Sequence, residues 1–196
     1  MAAMRALTPS LNFPPELLLQ AQGMRAAIFD VDGVLTDGRI YIGEQGETVK
    51  AFSTLDGQGL KLLRIAGIEP VVITGRDSPA VRRRVADLGL AHALYGVHDK
   101  LAAAQQLMAA LGLDWPQLAA IGDDWPDLPL LLRAGFACAP ANAHAEARAA
   151  AHHVTATAGG FGAAREFCDL LLVASGRYAG LLQTMLATLD DGRTGA

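Results

Sequence analysis

Two acidic clusters dominate the chemistry available to this chain. In "AAIFDVDGVLTDG" (26–38) an apolar run ends at Asp30, and Asp32 follows two residues later, so both side chains point the same way if the strand continues. In "GDDWPD" (122–127) a second apolar run ends in Asp123, Asp124 and Asp127. Carboxylates crowded at strand ends repel one another unless water or a cation screens them. Hard oxygen donors gathered at one place suit Mg²⁺, which takes one or two carboxylates plus a phosphate and keeps several waters. Between the clusters lie Thr74-Gly75-Arg76, at another strand end, and Lys100, at a helix start. A hydroxyl, a backbone N–H and an ammonium are the donors a transferring phosphoryl group needs around its oxygens. Phosphate monoesters are extremely inert in water. Passing the phosphoryl group through a carboxylate replaces one hard step with two easier ones.

The elements that must position these residues alternate. Apolar runs at 25–31, 69–75, 91–96, 117–124, 135–140 and 152–157 read as buried strands. Helical patterns occupy 58–66, 78–88, 99–111, 126–134, 143–151 and, with a break at Gly176, most of the chain after 160. This alternation predicts an α/β fold, a doubly wound parallel sheet with helices on both faces and its site beyond the carboxyl ends of the strands. One segment breaks the rhythm. "RIYIGEQGETVKAF" (39–52) predicts a β-hairpin with Ile40 and Ile42 on one face and Tyr41 on the other. A lone hairpin is marginal in water, so this one must pack on its own domain or on another subunit.

The 196 residues suffice for one domain with a sizeable core, 52% are hydrophobic and the formal net charge is −4. We expect an N-terminal extension over 1–24 carrying a short helix, a single domain over 25–190 and a flexible tail over 191–196. No basic tract suggests nucleic-acid binding and no apolar run is long enough for membrane insertion. The prolines near the start interrupt any signal-peptide core. Cys138 and Cys168 sit in apolar runs and read as reduced core residues, as in a cytoplasmic protein.

Other motifs are weaker. Counted from Asp30 as an EF-hand loop, position 6 is Leu35 and position 12 is Tyr41, not the required Gly and Glu. "GGFGAAR" lacks the third glycine of a dinucleotide fingerprint and reads as a helix start. The histidines have no metal-ligand spacing. Taken singly, an acidic strand end is as well explained by a solvated rim.

Taken together, "DVDGVLTDG", the Thr of "ITGR", Lys100 and "GDDWPD" resemble, in order, the four motifs of the haloacid dehalogenase-like phosphatases. The wider pattern, including "DGVLTDGRIYIGEQGE", "KAFSTLDGQG" and "AGGFGAAREFCDLLL", is similar to the 3-deoxy-D-manno-octulosonate (KDO) 8-phosphate phosphatases of that superfamily. The resemblance implies a Mg²⁺-dependent phosphatase of lipopolysaccharide precursor biosynthesis. Asp30 would be the nucleophile and a metal ligand. Asp32 would be the general acid/base, with its backbone carbonyl on the metal, and Asp123 the third ligand. Asp124 and Asp127 would orient the site. Thr74, Gly75 and Lys100 would hold the phosphoryl group. Asp32, the segment Ser53, Thr54, Leu55, Asp56 and Gly57, then Lys61, Arg76 and Arg84 would meet the sugar acid, although Arg84 is one of three consecutive arginines (82–84).

Many relatives carry a cap domain; residues 38–56 are too few for one, since a domain usually needs at least ~50. The resemblance implies a homotetramer instead, in which hairpins pack together and a neighbour covers the site. Two alternatives stay open: a phosphatase for a nine-carbon, sialic-acid-type phosphate, and a non-catalytic phospho-receiver module. Receivers place their paired acids ahead of the phospho-acceptor, whereas Asp30 comes first here.

Overall fold

The structure, a computed structural model, describes residues 7–191. A short helix α1 (Pro15–Gln20) leads into strand β1 (Ala26–Phe29), and the hairpin β2 (Tyr41–Gly43) and β3 (Gly46–Val49) follows. Then come α2 (Thr54–Ile65), β4 (Glu69–Ile73), α3 (Pro79–Leu88), β5 (His92–Leu94), α4 (Lys100–Leu111) and β6 (Leu118–Ile121). The chain continues through α5 (Leu128–Leu131), β7 (Phe136–Ala139), α6 (Ala145–Ala150), β8 (His153–Val154), α7 (Ala163–Ala174) and α8 (Tyr178–Asp191). Of the tail expected over 191–196, Asp191 closes α8 and the rest lies outside the described residues.

Six strands form one parallel sheet in the order β5-β4-β1-β6-β7-β8. The central strands β1, β6 and β7 are apolar throughout and fully buried because both faces are covered, whereas the edge strands β5 and β8 are only partly buried. Alternation along β1 sends Ala27 and Phe29 to one face, against Leu60 and Leu63 of α2 and Phe167 and Leu171 of α7. Ala26 and Ile28 go to the other, against Ala104 and Met108 of α4 and Leu130 of α5. Each fully buried large side chain contributes about 1.5–3 kcal/mol. Cys138 and Cys168 are free and buried, as expected. Among the described residues no single helix is long and apolar enough to cross a membrane.

The chain winds outward from β1 to β4 and β5, then returns to place β6 on the other side of β1. Strand order reverses there, and the crevice beyond the carboxyl ends of β1 and β6 is where such sheets bind ligands. The register sets Phe29 beside Ile121, so Asp30 leaves the sheet next to the Gly122-Asp123 end of β6. The Asp30 N–H still donates to Ile121 O at 3.2 Å.

Several boundaries differ from the sequence expectation for identifiable reasons. The helix expected over 58–66 begins at Thr54, with Ser53 at its N-terminal boundary. The helix expected over 126–134 is a 3₁₀ turn (Trp125–Asp127) followed by the short α5. Asp127 draws that turn tight by accepting from two backbone N–H groups. The strand expected over 152–157 pairs only at residues 153–154, because Glu166 takes the N–H groups of Ala156 and Thr157. In the hairpin a register shift between Tyr41 and Ile42 breaks simple alternation. Ile40, Tyr41, Ile42 (76% exposed) and Val49 all face outward, so no apolar face of the hairpin is covered by its own sheet.

Candidate active site

Three strand ends and one helix start converge on one cavity of about 390 Å³. Asp30 and Asp32 follow β1, Thr74, Gly75 and Arg76 follow β4, Lys100 opens α4, and Asp123, Asp124 and Asp127 follow β6; all of them line it. Three glycine-dependent approaches make the crowding possible. Gly33 has φ +91°, and a Cβ there would lie 2.0 Å from Asp123 Oδ2. A Cβ on Gly122 would lie 2.4 Å from Cβ of Asp127. A Cβ on Gly159 would sit 1.7 Å from the Gly33 carbonyl, so the "AGGFG" segment serves as the backing wall of the Asp30–Gly38 loop. That segment then opens α7, and no dinucleotide turn is involved.

The charges alternate. Lys100 Nζ stands 2.9 Å from Asp30 Oδ1 and 2.5 Å from Asp127 Oδ1. The other Asp127 oxygen accepts the N–H groups of Asp123 (3.0 Å) and Asp124 (3.3 Å). Both oxygens of this buried side chain are therefore committed to holding Lys100 and the turn. Burial, then the Asp127 charge, pushes the Asp30 carboxyl up to about 6 despite Lys100. Burial, then Asp30 and Asp127, pushes Asp123 up to about 8. The same carboxylates outweigh desolvation at Lys100 and raise its pKa. Thr74 lines the cavity, and its buried hydroxyl accepts the Arg76 N–H at 3.3 Å.

Oxygens of Asp30, Asp123 and Asp127 lie within 4.8 Å of one another. This is an all-oxygen donor set whose mutual repulsion a hard divalent cation relieves, so the residues fit Mg²⁺. Asp30 and Asp123 have oxygens to spare for an ion; Asp127 does not. The Asp32 carboxylate turns away from the triad. The metal contact implied for Asp32 runs through its backbone carbonyl, so the side chain is free for another partner.

That partner is Lys50, which sequence reasoning missed. Its side chain is 1% exposed and its ammonium contacts Asp32 Oδ1. It also lies 3.4 Å from Glu47, which in turn binds Arg76 at 2.7 Å and Ser78 at 2.9 Å. The one available signal was a lysine at the point where the hairpin rejoins the fold.

Of the residues expected to meet the sugar, Asp32 and Arg76 line the cavity and the others do not. Ser53, Asp56, Gly57 and Arg84 border a separate narrow cleft under α2. Arg84 donates to the Ser53 carbonyl at 3.1 Å. Asp56 is buried and caps α7 by accepting the Arg165 N–H at 2.8 Å, a structural duty. Leu55 is exposed beside them, Thr54 opens α2, and Lys61 lies one turn beyond Gly57 on the same helix.

Residues 94–166 match the haloacid dehalogenase-like hydrolase family. A 3-deoxy-D-manno-octulosonate 8-phosphate phosphatase of Yersinia pestis is 42% identical over 165 residues, which is 84% of this chain and 88% of that protein. The chain belongs to the KDO 8-phosphate phosphatase family of haloacid dehalogenase-like hydrolases. Solved structures of this family share its fold. That of the Moraxella catarrhalis KDO 8-phosphate phosphatase, in complex with magnesium, phosphate and KDO, is 39% identical with a TM-score of 0.84, covering 87% of this chain and 98% of that one. A probable phosphatase from Pseudomonas syringae is 44% identical with a TM-score of 0.86, covering 88% of this chain and 98% of that one.

Proposed function

We propose that the chain is a Mg²⁺-dependent phosphatase that hydrolyses KDO 8-phosphate to KDO and inorganic phosphate in lipopolysaccharide precursor biosynthesis. The observation that carries this reading is the pairing of Asp30 with Lys100 at 2.9 Å in a polar cavity at the sheet's switch point, in a chain of this family.

The residues divide the work as follows. The Asp30 carboxylate attacks phosphorus while the bond from phosphorus to the sugar oxygen breaks. Asp32 donates a proton to that oxygen, giving the sugar alcohol and an aspartyl-phosphate. Water then attacks the phosphorus, Asp32 takes its proton, and the bond to Asp30 breaks, restoring the carboxylate. The Thr74 hydroxyl, the Gly75 N–H and the Lys100 ammonium bind the phosphoryl oxygens throughout. A Mg²⁺ held by Asp30, Asp123 and the Asp32 carbonyl would supply positive charge to those oxygens. Asp124 and Asp127 set the geometry of this group. Arg76, half exposed at the cavity rim, offers a planar cation to the carboxylate of the sugar acid.

A substrate panel tests this. KDO 8-phosphate is expected to give a kcat/KM at least about tenfold above p-nitrophenyl phosphate, which has no carboxylate for Arg76 to bind, and above a sialic acid 9-phosphate, whose longer chain sets its carboxylate at a different distance from the phosphate. Equal values across the panel would leave a general sugar phosphatase. No phosphate release with Mg²⁺ would favour a receiver-like module.

Residues 25–190 act in this reading as one catalytic domain, and the reduced cysteines accord with the cytoplasm. The assembly is a homotetramer built on the hairpin, supported by the outward-facing Ile40, Tyr41, Ile42 and Val49. Replacing Ile40 and Ile42 by aspartate is expected to dissociate it and lower activity several-fold, followed by light scattering and turnover together. A fully active monomer would refute the shared site.

A further inference from the structure

Asp32, Lys50, Glu47 and Arg76 close a ring of alternating charge. Lys50 binds Asp32 Oδ1 and approaches Glu47 Oε1 at 3.4 Å. Glu47 Oε2 holds Arg76 at 2.7 Å, and Arg76 Nε returns to Asp32 Oδ2 at 3.8 Å. Both oxygens of Asp32 are thus faced by cations. The two cations are not alike. Arg76 is half exposed at the cavity rim, whereas the Lys50 side chain is 1% exposed. Burying an ammonium costs several kcal/mol unless carboxylates pay for it, and here two do. Both Lys50 and Glu47 come from the hairpin, which contributes no other group to this ring, and Ser78 of the β4–α3 loop fastens Glu47 in place at 2.9 Å.

We propose that Lys50 is a positioning residue: braced by Glu47, its buried ammonium fixes the Asp32 carboxylate at the cavity wall, where it can reach the leaving oxygen. This rests on the reading of Asp32 as the proton donor. A carboxylate left to rotate at the end of a strand would spend little time in reach of that oxygen, and small misplacements of a catalytic group are costly. The hairpin therefore does more than present an apolar surface, because its seating on the fold sets the acid/base.

Leaving-group dependence separates this role from a merely structural one. An alkyl phosphate such as KDO 8-phosphate needs a proton on its departing oxygen, and p-nitrophenyl phosphate needs almost none. The value of kcat/KM reports the steps up to phosphoryl transfer, so the later water attack does not blur the comparison. Lys50→Met is expected to lower kcat/KM on the order of 10²-fold for KDO 8-phosphate and less than about threefold for p-nitrophenyl phosphate. Glu47→Gln, which leaves the ammonium one partner, is expected to give the same split at smaller size. Asp32→Asn is the control and should split the substrates at least as strongly. If Asp32→Asn splits them and Lys50→Met or Glu47→Gln lowers both equally, or neither, the positioning role is overturned. If Asp32→Asn itself shows no split, the proton-donor reading falls and this inference with it. Should Lys50→Met fail to fold, Glu47→Gln decides alone.

Discussion

Asp30→Asn is expected to abolish turnover, with kcat falling on the order of 10⁴-fold or more while the fold is kept. The amide is nearly isosteric with the carboxylate but has no anionic oxygen to attack phosphorus. Among the described residues, the two carboxylates grouped with Asp30 are not placed to substitute. Asp127 has both oxygens committed, and Asp123 is the group assigned to the metal. The fold should survive because Lys100 keeps Asp127 at 2.5 Å. Stability carries a second signature. The Asp30 carboxyl is pushed from its ordinary 3.8 to about 6, so the native state holds this proton longer than the unfolded chain. Such a group makes the unfolding free energy fall as pH rises from about 4 to 6. Asp30→Asn lacks that titration, so the metal-free variant should lose less stability across this window than the wild type. Turnover, acid-quench capture of the phosphoenzyme and urea titrations at pH 4 and 7 check these points. A variant within tenfold of wild type would remove Asp30 from the nucleophile's place.

What could be read from the sequence and what could not divide along sequence distance. Asp30, Thr74, Lys100 and Asp123 were legible because each sits where an apolar strand or a helix start makes its position certain. The parallel sheet then brings all such ends to one edge. The Asp30–Gly38 turn was legible through Gly33, although only the structure shows that Asp123 fills the space a side chain would need. Contacts between surface-like segments were not legible. Glu47 reaches Arg76 across 29 residues and Asp56 reaches Arg165 across 109, and neither partner has a local pattern pointing to the other. Asp56 accepts the Arg165 N–H at the start of α7 and Arg84 donates to the Ser53 carbonyl, contacts that no local sequence pattern announces. The hairpin was read correctly as an insertion, and its outward apolar residues were foreseen. Nothing in its sequence pattern marks Lys50 and Glu47, which turn inward and contact Asp32 and Arg76.

Lys100→Met is expected to do comparable damage by a different route. Among the described residues Lys100 is the only cation touching both Asp30 and Asp127, at 2.9 and 2.5 Å. Removing it takes a donor from the phosphoryl oxygens, and loss of one such preorganised donor typically costs about 10²–10³-fold in kcat. It also leaves the buried carboxylates without their neutralising partner, where breaking a buried pair costs about 3–5 kcal/mol. The pH dependence fixes the cause. The Lys100 charge lowers the pKa of Asp30 and of Asp123, so without it both hold their protons to higher pH. Their native pKa values already lie above the ordinary carboxylate range, and the variant widens that gap. The penalty relative to wild type should therefore be small near pH 4, where the native Asp30 and Asp123 carboxyls are largely protonated with or without Lys100, and should open as pH rises through 6 and 8. Saturating Mg²⁺ should recover part of the stability at pH 8, because a divalent cation at Asp30 and Asp123 screens the same charges, yet leave kcat low. Urea titrations at pH 4.5 and 8, with and without Mg²⁺, separate the two effects. A penalty that is the same at both pH values would assign Lys100 to packing and deny it the task of neutralising Asp30.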